Sequence, residues 1–265
     1  MDLKRYTAAN KAAWNASAPA HEACENWERL LREAAKPGFT RLDATVTAAL
    51  RDAGVSGARA VQIGCNNGQD LLSLASLGGR PSLGIDQSES FLDQARRLAL
   101  AAGSDCAFLA ADIYDLPEDV SRDFDLALIT IGVLNWMPDL PRFFGIVAGL
   151  LSPGGRLVIY ETHPFLEMME PEAEDPFALT YSYFKTEPFV HEQALTYDGS
   201  NGGAVPASYW FSHPMGAIVT AIAQAGLRIE RLEEFPHSNR EVDFDIYEGR
   251  AAQLPMCFVL TAVRQ

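Results

Sequence analysis

The sequence predicts an α/β protein with a doubly wound, mostly parallel, seven-stranded sheet, N-terminal helices and an inserted cap after the fifth strand. Short apolar runs alternate with helical patterns from residue 59 to about 160, which is typical of a parallel sheet covered by helices. The first run, Ala60–Ile63, breaks at Gly64 and crosses a glycine turn directly into a helical pattern that starts at Asp70. A strand, a glycine turn and a helix in this order indicate the ligand-binding edge of such a sheet.

Residues 1–55 are expected to form a helical cover on a domain that comprises residues 56–265. Helical patterns extend over Ala20–Ala35 and Arg41–Ala53, and Lys36-Pro37-Gly38 separates them. Proline and glycine together mark a break between two helices.

Five strands and three helices are predicted between residues 59 and 160. The strands are Ala60–Ile63, Ser82–Ile85, Ala107–Leu109, Phe124–Thr130 and Arg156–Tyr160, and the helices are Asp70–Leu77, Glu89–Ala102 and Pro141–Leu151. Ligands gather at the carboxyl ends of the strands in such a sheet. The residues just past these ends are Gly64, Asp86, Asp112, Ile131 and Glu161.

Residues 164–212 interrupt the alternation with acids and prolines followed by aromatic residues. A stretch of this length inside one domain is usually functional or disordered, and its aromatic content argues against disorder. We expect a cap over the substrate pocket. A helix near His213–Ala225 and strands near Leu227–Phe235 and Met256–Ala262 should complete the sheet.

Composition limits the classes of partner. The formal net charge is −14, from 21 basic and 35 acidic side chains, so nucleic acid should be repelled and a small-molecule substrate is favoured. There is no apolar run long enough for a membrane span and no signal-peptide core, which favours a cytoplasmic protein. The four cysteines are scattered, so neither a metal site nor a disulfide framework is predicted. The oligomeric state stays open.

The glycine turn and a downstream aspartate predict a nucleotide-like cofactor. Gly64 and Gly68 have no Cβ, so backbone N–H groups can approach a ligand closely. Asp86 follows a second apolar run, where a carboxylate can accept hydrogen bonds from a ribose diol. Asn66 and Gln69 stand where a dinucleotide-binding fingerprint needs glycine, which disfavours NAD.

The motifs in this region resemble those of class I S-adenosylmethionine-dependent methyltransferases, which have a Rossmann-like fold. They occur in the family's order, as the turn at Gly64–Gly68 and then Gly84–Asp86, Ala111–Pro117, Leu134–Asp139 and Leu151–Leu157. The segments Gly68–Asp70, Glu161–Pro164 and Gly226–Glu230 are similar to a bacterial subgroup that methylates small molecules. The last strand runs antiparallel in this family.

The resemblance implies S-adenosylmethionine as cofactor and methyl transfer to an O or N atom of a small molecule. It places Asp112 against the adenine amine, with the Ile113 N–H beside it, and Trp14 in a segment that folds over the cofactor. Cys65, Asn66 and Gln69 would line the turn, and Gln87 and Ile131 are counted with the cofactor-binding candidates. The two aspartates also have structural alternatives: Asp86 could cap the helix near Ser88, and Asp112 could form a turn.

Glu161 and His163 are the acceptor-side candidates, because residues two apart in an extended strand project the same way. His163 could accept the proton that leaves the acceptor. The alternative is a polar pair that fixes the turn before Pro164.

Two other functions stay open: an NAD(P)-dependent oxidoreductase, and a non-catalytic binding module. Gln62 and Asn66 favour the latter, since the family has an acidic residue and a glycine there.

Overall fold

The predicted seven-stranded sheet is confirmed by the computed structural model, which describes residues 2–24, 27–194 and 203–265. The strands within these ranges are β1 (Arg59–Ile63), β2 (Arg80–Asp86), β3 (Ala107–Ala110), β4 (Phe124–Thr130), β5 (Leu151–Thr162), β6 (Phe189–Gln193), β7 (Ala204–Trp210), β8 (Leu227–Phe235) and β9 (Cys257–Arg264). The main sheet has the order β3-β2-β1-β4-β5-β9-β8. Strands β1 to β5 pair in parallel, and β9 runs antiparallel between β5 and β8, as expected.

Helices cover the sheet and extend to the N-terminus. They are α1 (Leu3–Cys24), α2 (Trp27–Ala34), α3 (Ala44–Asp52), α4 (Gln69–Ser73), α5 (Glu89–Ala102), α6 (Leu140–Leu150) and α7 (Met215–Gln224). The predicted helix Ala20–Ala35 begins too late, because α1 already starts at Leu3 and continues through Pro19 to Cys24, while α2 covers Trp27–Ala34. Residues 25 and 26, inside that prediction, lie outside the described residues. Contacts of α1 with α5 outweigh the local effect of Pro19: Gln94 Nε2 donates to the Ala18 carbonyl at 2.9 Å.

The sheet has an apolar core on each face. Along β4, Ala127 and Ile129 pack in the cluster that contains α6 and α7, whereas Leu126 and Leu128 pack in the cluster that contains α2, α3 and α5. All four side chains are fully buried. This two-sided burial explains the continuous apolar run of β4, since central parallel strands are covered on both faces.

The segment after β5 forms a separate two-stranded sheet of β6 and β7, antiparallel. Residues 195–202 of the predicted cap lie outside the described residues. Buried Asn10 of α1 holds β7: its Oδ1 accepts from the Tyr209 N–H at 2.7 Å, and its Nδ2 donates to the Tyr209 carbonyl at 3.0 Å. Tyr6 packs edge-on against Tyr209, with ring centroids 5.0 Å apart. The N-terminal helix and the insertion therefore meet above the carboxyl edge of the sheet.

The described residues include no helix that combines the length and the apolar character needed to cross a membrane.

Candidate active site

A cavity of about 1260 Å³ lies at the carboxyl edge of the sheet, under α1 and the insertion. Eight of the eleven predicted cofactor-binding residues line it: Trp14, Gly64, Asn66, Asp86, Gln87, Asp112, Ile113 and Ile131. They come from α1 and from the ends of β1, β2, β3 and β4, which lie side by side in the sheet. The change of direction in strand order falls between β1 and β4, where ligands bind in sheets of this kind.

The turn after β1 approaches the neighbouring loop closely. Gly64 has a φ of +64°, and a Cβ there would lie 2.7 Å from the Val133 side chain. Asn66 has a φ of +51°, and its Oδ1 accepts from the Asn67 N–H at 2.7 Å. Asparagine is among the few residues that adopt the left-handed conformation at low cost, so Asn66 meets the backbone requirement of the glycine it replaces.

Asp86 connects the first two strand ends. Its Oδ2 accepts from the Asn66 N–H at 2.8 Å, and its Oδ1 accepts from the Ser88 N–H at 2.9 Å. The cap of α5 is Ser88, whose Oγ accepts from the Phe91 N–H at 3.3 Å, so Asp86 is not the helix cap. Burial raises the pKa of Asp86 above its ordinary value, opposed by these backbone donors. Asp86 lines the cavity, and a carboxylate oxygen can accept more than one hydrogen bond.

Asp112 lies at the next strand end. Its Oδ1 accepts from the Tyr114 N–H at 3.0 Å, so the turn-forming role is present, and the residue also lines the cavity beside buried Ile113. The two roles are compatible because one carboxylate can accept several hydrogen bonds.

Three tryptophans from different elements form one aromatic wall of the cavity. Trp14 of α1 packs edge-on against Trp136, with centroids 5.3 Å apart, and Trp136 packs edge-on against Trp210 of β7 at 4.9 Å. All three line the cavity. The structure therefore brings predicted Trp14 to the cofactor edge and connects it to the insertion.

Cys65, Gly68 and Gln69 do not line the cavity. Cys65 is buried with Leu92, Ala95 and Phe108 beneath the turn, and burial raises the pKa of its thiol well above the ordinary value. A Cβ at Gly68 would lie 3.0 Å from the Phe108 ring, so this glycine serves packing and starts α4. Gln69 lies in the first turn of α4, and its carbonyl accepts from the Ser73 hydroxyl.

Glu161 holds the loop after β4 and does not line the main cavity. Its Oε1 accepts from the Leu134 N–H at 3.1 Å and its Oε2 accepts from the Gly132 N–H. The side chain is 2% exposed, and burial raises its pKa to about 7. Because Glu161 binds two N–H groups of this loop and does not line the main cavity, the geometry favours a positioning role, and its contact with the acceptor stays a prediction.

His163 also lies away from the main cavity, and both of its ring nitrogens have partners. Nδ1 accepts from the Phe165 N–H at 3.1 Å, and Nε2 lies 2.7 Å from Glu234 Oε1 of β8. Nδ1 as acceptor makes Nε2 the donor, so no lone pair is left for an incoming proton. His163 thus fixes the turn around Pro164, in line with the alternative role, and its role toward the acceptor stays a prediction.

Two segments supply lining residues that were not predicted individually. Glu167, Tyr181, Phe189 and Trp210 come from the insertion, and Glu241 and Phe244 come from the connection between β8 and β9. Acids and aromatic residues within 164–212 pointed to the first segment. The alternation of acidic and apolar residues from Glu241 to Tyr247 was the signal for the second.

Comparison with known proteins identifies the family. Residues 55–189, just over half of the 265 residues, match the family model described as a methyltransferase domain. The chain belongs to this methyltransferase family. The methyltransferase is 31% identical over 104 residues to the ubiquinone biosynthesis O-methyltransferase of Xanthomonas axonopodis pv. citri, a match covering 39% of this chain and 43% of that enzyme. It is 35% identical over 107 residues to the 27-O-demethylrifamycin SV methyltransferase of Amycolatopsis mediterranei, covering 39% of this chain and 38% of that enzyme.

The methyltransferase therefore matches less than half the length of these curated relatives. The similarity to solved structures covers a larger part of this chain. An S-adenosylmethionine-dependent methyltransferase from Mesorhizobium loti shares 25% identity and a TM-score of 0.55, covering 82% of this chain and 96% of that chain. One from Clostridium acetobutylicum, 13% identical with a TM-score of 0.56 over 84% of this chain and 93% of that chain, shares the fold. The predicted resemblance to class I methyltransferases is confirmed.

S-adenosylmethionine is the cofactor that these findings support, and the site fits it. The close approach at Gly64 leaves room for backbone only, and carboxylates stand at the end of β2 and just after β3, where a ribose and an adenine would need acceptors. Apolar Ile63, Ile85 and Ile113 line the floor between them. The wall contains aromatic faces that can attract a sulfonium.

Proposed function

We propose that this methyltransferase transfers a methyl group from S-adenosylmethionine to an O or N atom of a small molecule. One observation carries the proposal: a single cavity extends from the strand ends on the cofactor side to the aromatic and acidic residues of the insertion. Both reactants can therefore occupy the same cavity, which is the main requirement of a displacement that depends on alignment.

The side chains around the cavity have distinct roles in this proposal. Asp86 would accept hydrogen bonds from the ribose, Asp112 and the Ile113 N–H would bind the adenine, and the turn at Gly64 would hold the methionine part, with Asn66 lining it. When bound, the cofactor supplies an activated methyl group. Glu161 keeps the loop at Gly132–Leu134 in place between the two halves of the cavity. The tryptophan wall excludes water.

The small-molecule acceptor is supported by the cavity and by charge. The relatives named above serve ubiquinone biosynthesis and the methylation of a demethylrifamycin, which is small-molecule chemistry. A net charge of −14 disfavours nucleic acid.

We also propose a cytoplasmic location, which the free, buried thiols of Cys65, Cys106 and Cys257 support, because thiols stay reduced there.

A ligand screen tests this function against its alternatives. We expect S-adenosylmethionine and S-adenosylhomocysteine to raise the melting temperature, and NAD to leave it unchanged, because only a ligand that binds the folded state stabilises it. A mass-spectrometric methyl-transfer screen over phenols, amines and carboxylates then separates an enzyme from a binding module. Stabilisation by NAD alone would favour the oxidoreductase, and binding of S-adenosylmethionine without any turnover would favour the module.

A further inference from the structure

The acceptor half of the cavity lies over β4 and β5. Strand order places Asp112, Asp86 and Gly64 over β3, β2 and β1, whereas Ile131 and Thr162 end β4 and β5. Glu167 follows β5 on a short helical turn, Leu166–Met168, and lines this second half. It is thus separated from the cofactor-binding carboxylates by the loop after β4.

Glu167 is a buried carboxylate that has no cationic partner. It is 9% exposed, its Oε2 accepts from Trp210 Nε1 at 2.9 Å, and its Oε1 accepts from Asn135 Nδ2 at 3.3 Å. Both donors are neutral, and no ion pair found within residues 2–24, 27–194 and 203–265 includes Glu167. A buried charge without a countercharge is costly, and each oxygen can still accept another hydrogen bond.

The surrounding wall also favours a positively charged group. Among the described residues that line the cavity there is no lysine or arginine. Glu170, Glu192 and Glu241 line the acceptor half, together with the Trp210, Tyr181 and Phe189 rings. Carboxylates attract a cation, aromatic faces add cation–π attraction, and an anionic acceptor would be repelled.

We propose that the acceptor carries a protonated amine, and that Glu167 binds this ammonium and takes the proton that its nitrogen loses before methylation. The inference rests on the proposed function. In this step the N–H bond breaks, an O–H bond forms on the Glu167 carboxylate, and the electron pair stays on nitrogen. The neutral amine is then the nucleophile, and no oxidant or reductant is needed.

The environment of Glu167 suits proton transfer near neutral pH. Burial raises the pKa of Glu167 to about 7. The titratable groups that face it are Glu161 at the end of β5, Glu241 between β8 and β9, and His213 before α7. Because Glu167 must be ionised to accept a proton, turnover should rise with pH through about 7.

Tyramine provides a sharp probe because it carries a phenol hydroxyl on its ring and an alkylamine on an ethyl side chain of the same ring. The matched probes are 4-ethylphenol, which lacks the amine, and phenethylamine, which lacks the phenol. We expect N-methyl products from tyramine and phenethylamine and none from 4-ethylphenol, identified by mass spectrometry. Isothermal calorimetry in the presence of S-adenosylhomocysteine measures probe binding independently of turnover.

Variants assign the effect to Glu167. Glu167→Gln should lower kcat by about 10²-fold or more and remove the rise with pH, while calorimetry shows unchanged S-adenosylmethionine affinity. Exposed Glu118→Gln, which also removes one negative charge, should behave as the unchanged chain. Methylation of the phenol oxygen, full turnover by Glu167→Gln, or no saturable amine binding in a protein that binds S-adenosylmethionine would overturn the inference. Failure to bind S-adenosylmethionine would instead overturn the proposed function.

Discussion

At the scale of single residues, Asp86 carries the cofactor assignment. Asp86→Ala removes the acceptors for a buried ribose, so S-adenosylmethionine affinity should fall by about tenfold or more. Isothermal calorimetry measures this directly. Asp70→Asn is the control, since Asp70 lies in the first turn of α4 outside the cavity, where it pairs with Arg240 at 3.2 Å. Equal affinities for the Asp86 variant and the unchanged chain would remove the ribose assignment.

The close approach at Gly64 gives a second prediction, because Gly103 offers a control with the same φ of +64°. Gly103→Ala should cost about 1 kcal/mol, the strain of a left-handed alanine, since a Cβ there meets nothing within 4 Å. Gly64→Ala should cost about 1–3 kcal/mol more, because its Cβ would lie 2.7 Å from Val133. Urea denaturation compares them. Equal losses would mean that the loop after β4 moves away freely.

Residue-level prediction placed side chains at the cavity where the backbone direction decides their position. Asp86 ends β2 and Asp112 lies two residues after β3, and the parallel arrangement brings such positions to one edge of the sheet. The hydrogen bonds of Glu161 and His163 were not foreseen, because their partners are remote in sequence. The N–H groups of Gly132 and Leu134 and the carboxylate of Glu234 occupy them, and no local pattern reveals those contacts.

At the scale of elements, α1 holds the insertion in place. Asn10→Ala removes both hydrogen bonds to Tyr209, so β7 should open more often, and hydrogen–deuterium exchange of its amides should speed up by about tenfold or more. Amides of β1 and β4 should keep their protection. Lys4→Ala on the same helix is the control, because Lys4 is exposed and its ion pair with Asp115 lies at the surface. Unchanged exchange in β7 would show that ring contacts of Tyr6 are sufficient.

The main sheet was predictable because each of its central strands is a local apolar run in the sequence. β4 matches its prediction, Phe124–Thr130, since two-sided burial demands an unbroken apolar run. The extent of α1 was not predictable, because Pro19 locally argues for a break and the compensating contacts come from α5 and β7. The β6–β7 pair was missed for a related reason: β6 is mostly exposed and lacks an apolar face.

At the scale of the whole molecule, buried carboxylates should make stability depend on pH. Burial raises the pKa of Glu161 and Glu167 to about 7 and that of Glu241 to about 8. The folded chain therefore keeps protons that the unfolded chain releases above its ordinary pKa of 4.5. The free energy of unfolding should thus fall as pH rises from about 4.5 to about 8, and level off above that range.

Urea denaturation near pH 5.5 and near pH 8 measures this fall, which should be on the order of 1 kcal/mol or more. Repulsion from the net charge of −14 acts in the same direction, but salt screens surface charge and leaves buried carboxylates nearly unaffected. Glu161→Gln removes one of the buried protons and should reduce the fall at high salt, whereas Glu118→Gln should not. A pH dependence that disappears in salt, or that Glu161→Gln leaves intact, would assign the effect to surface repulsion. Glu161 also holds the loop between the two halves of the cavity. Its loss of a proton therefore affects both the stability of the whole chain and the position of that loop in the site.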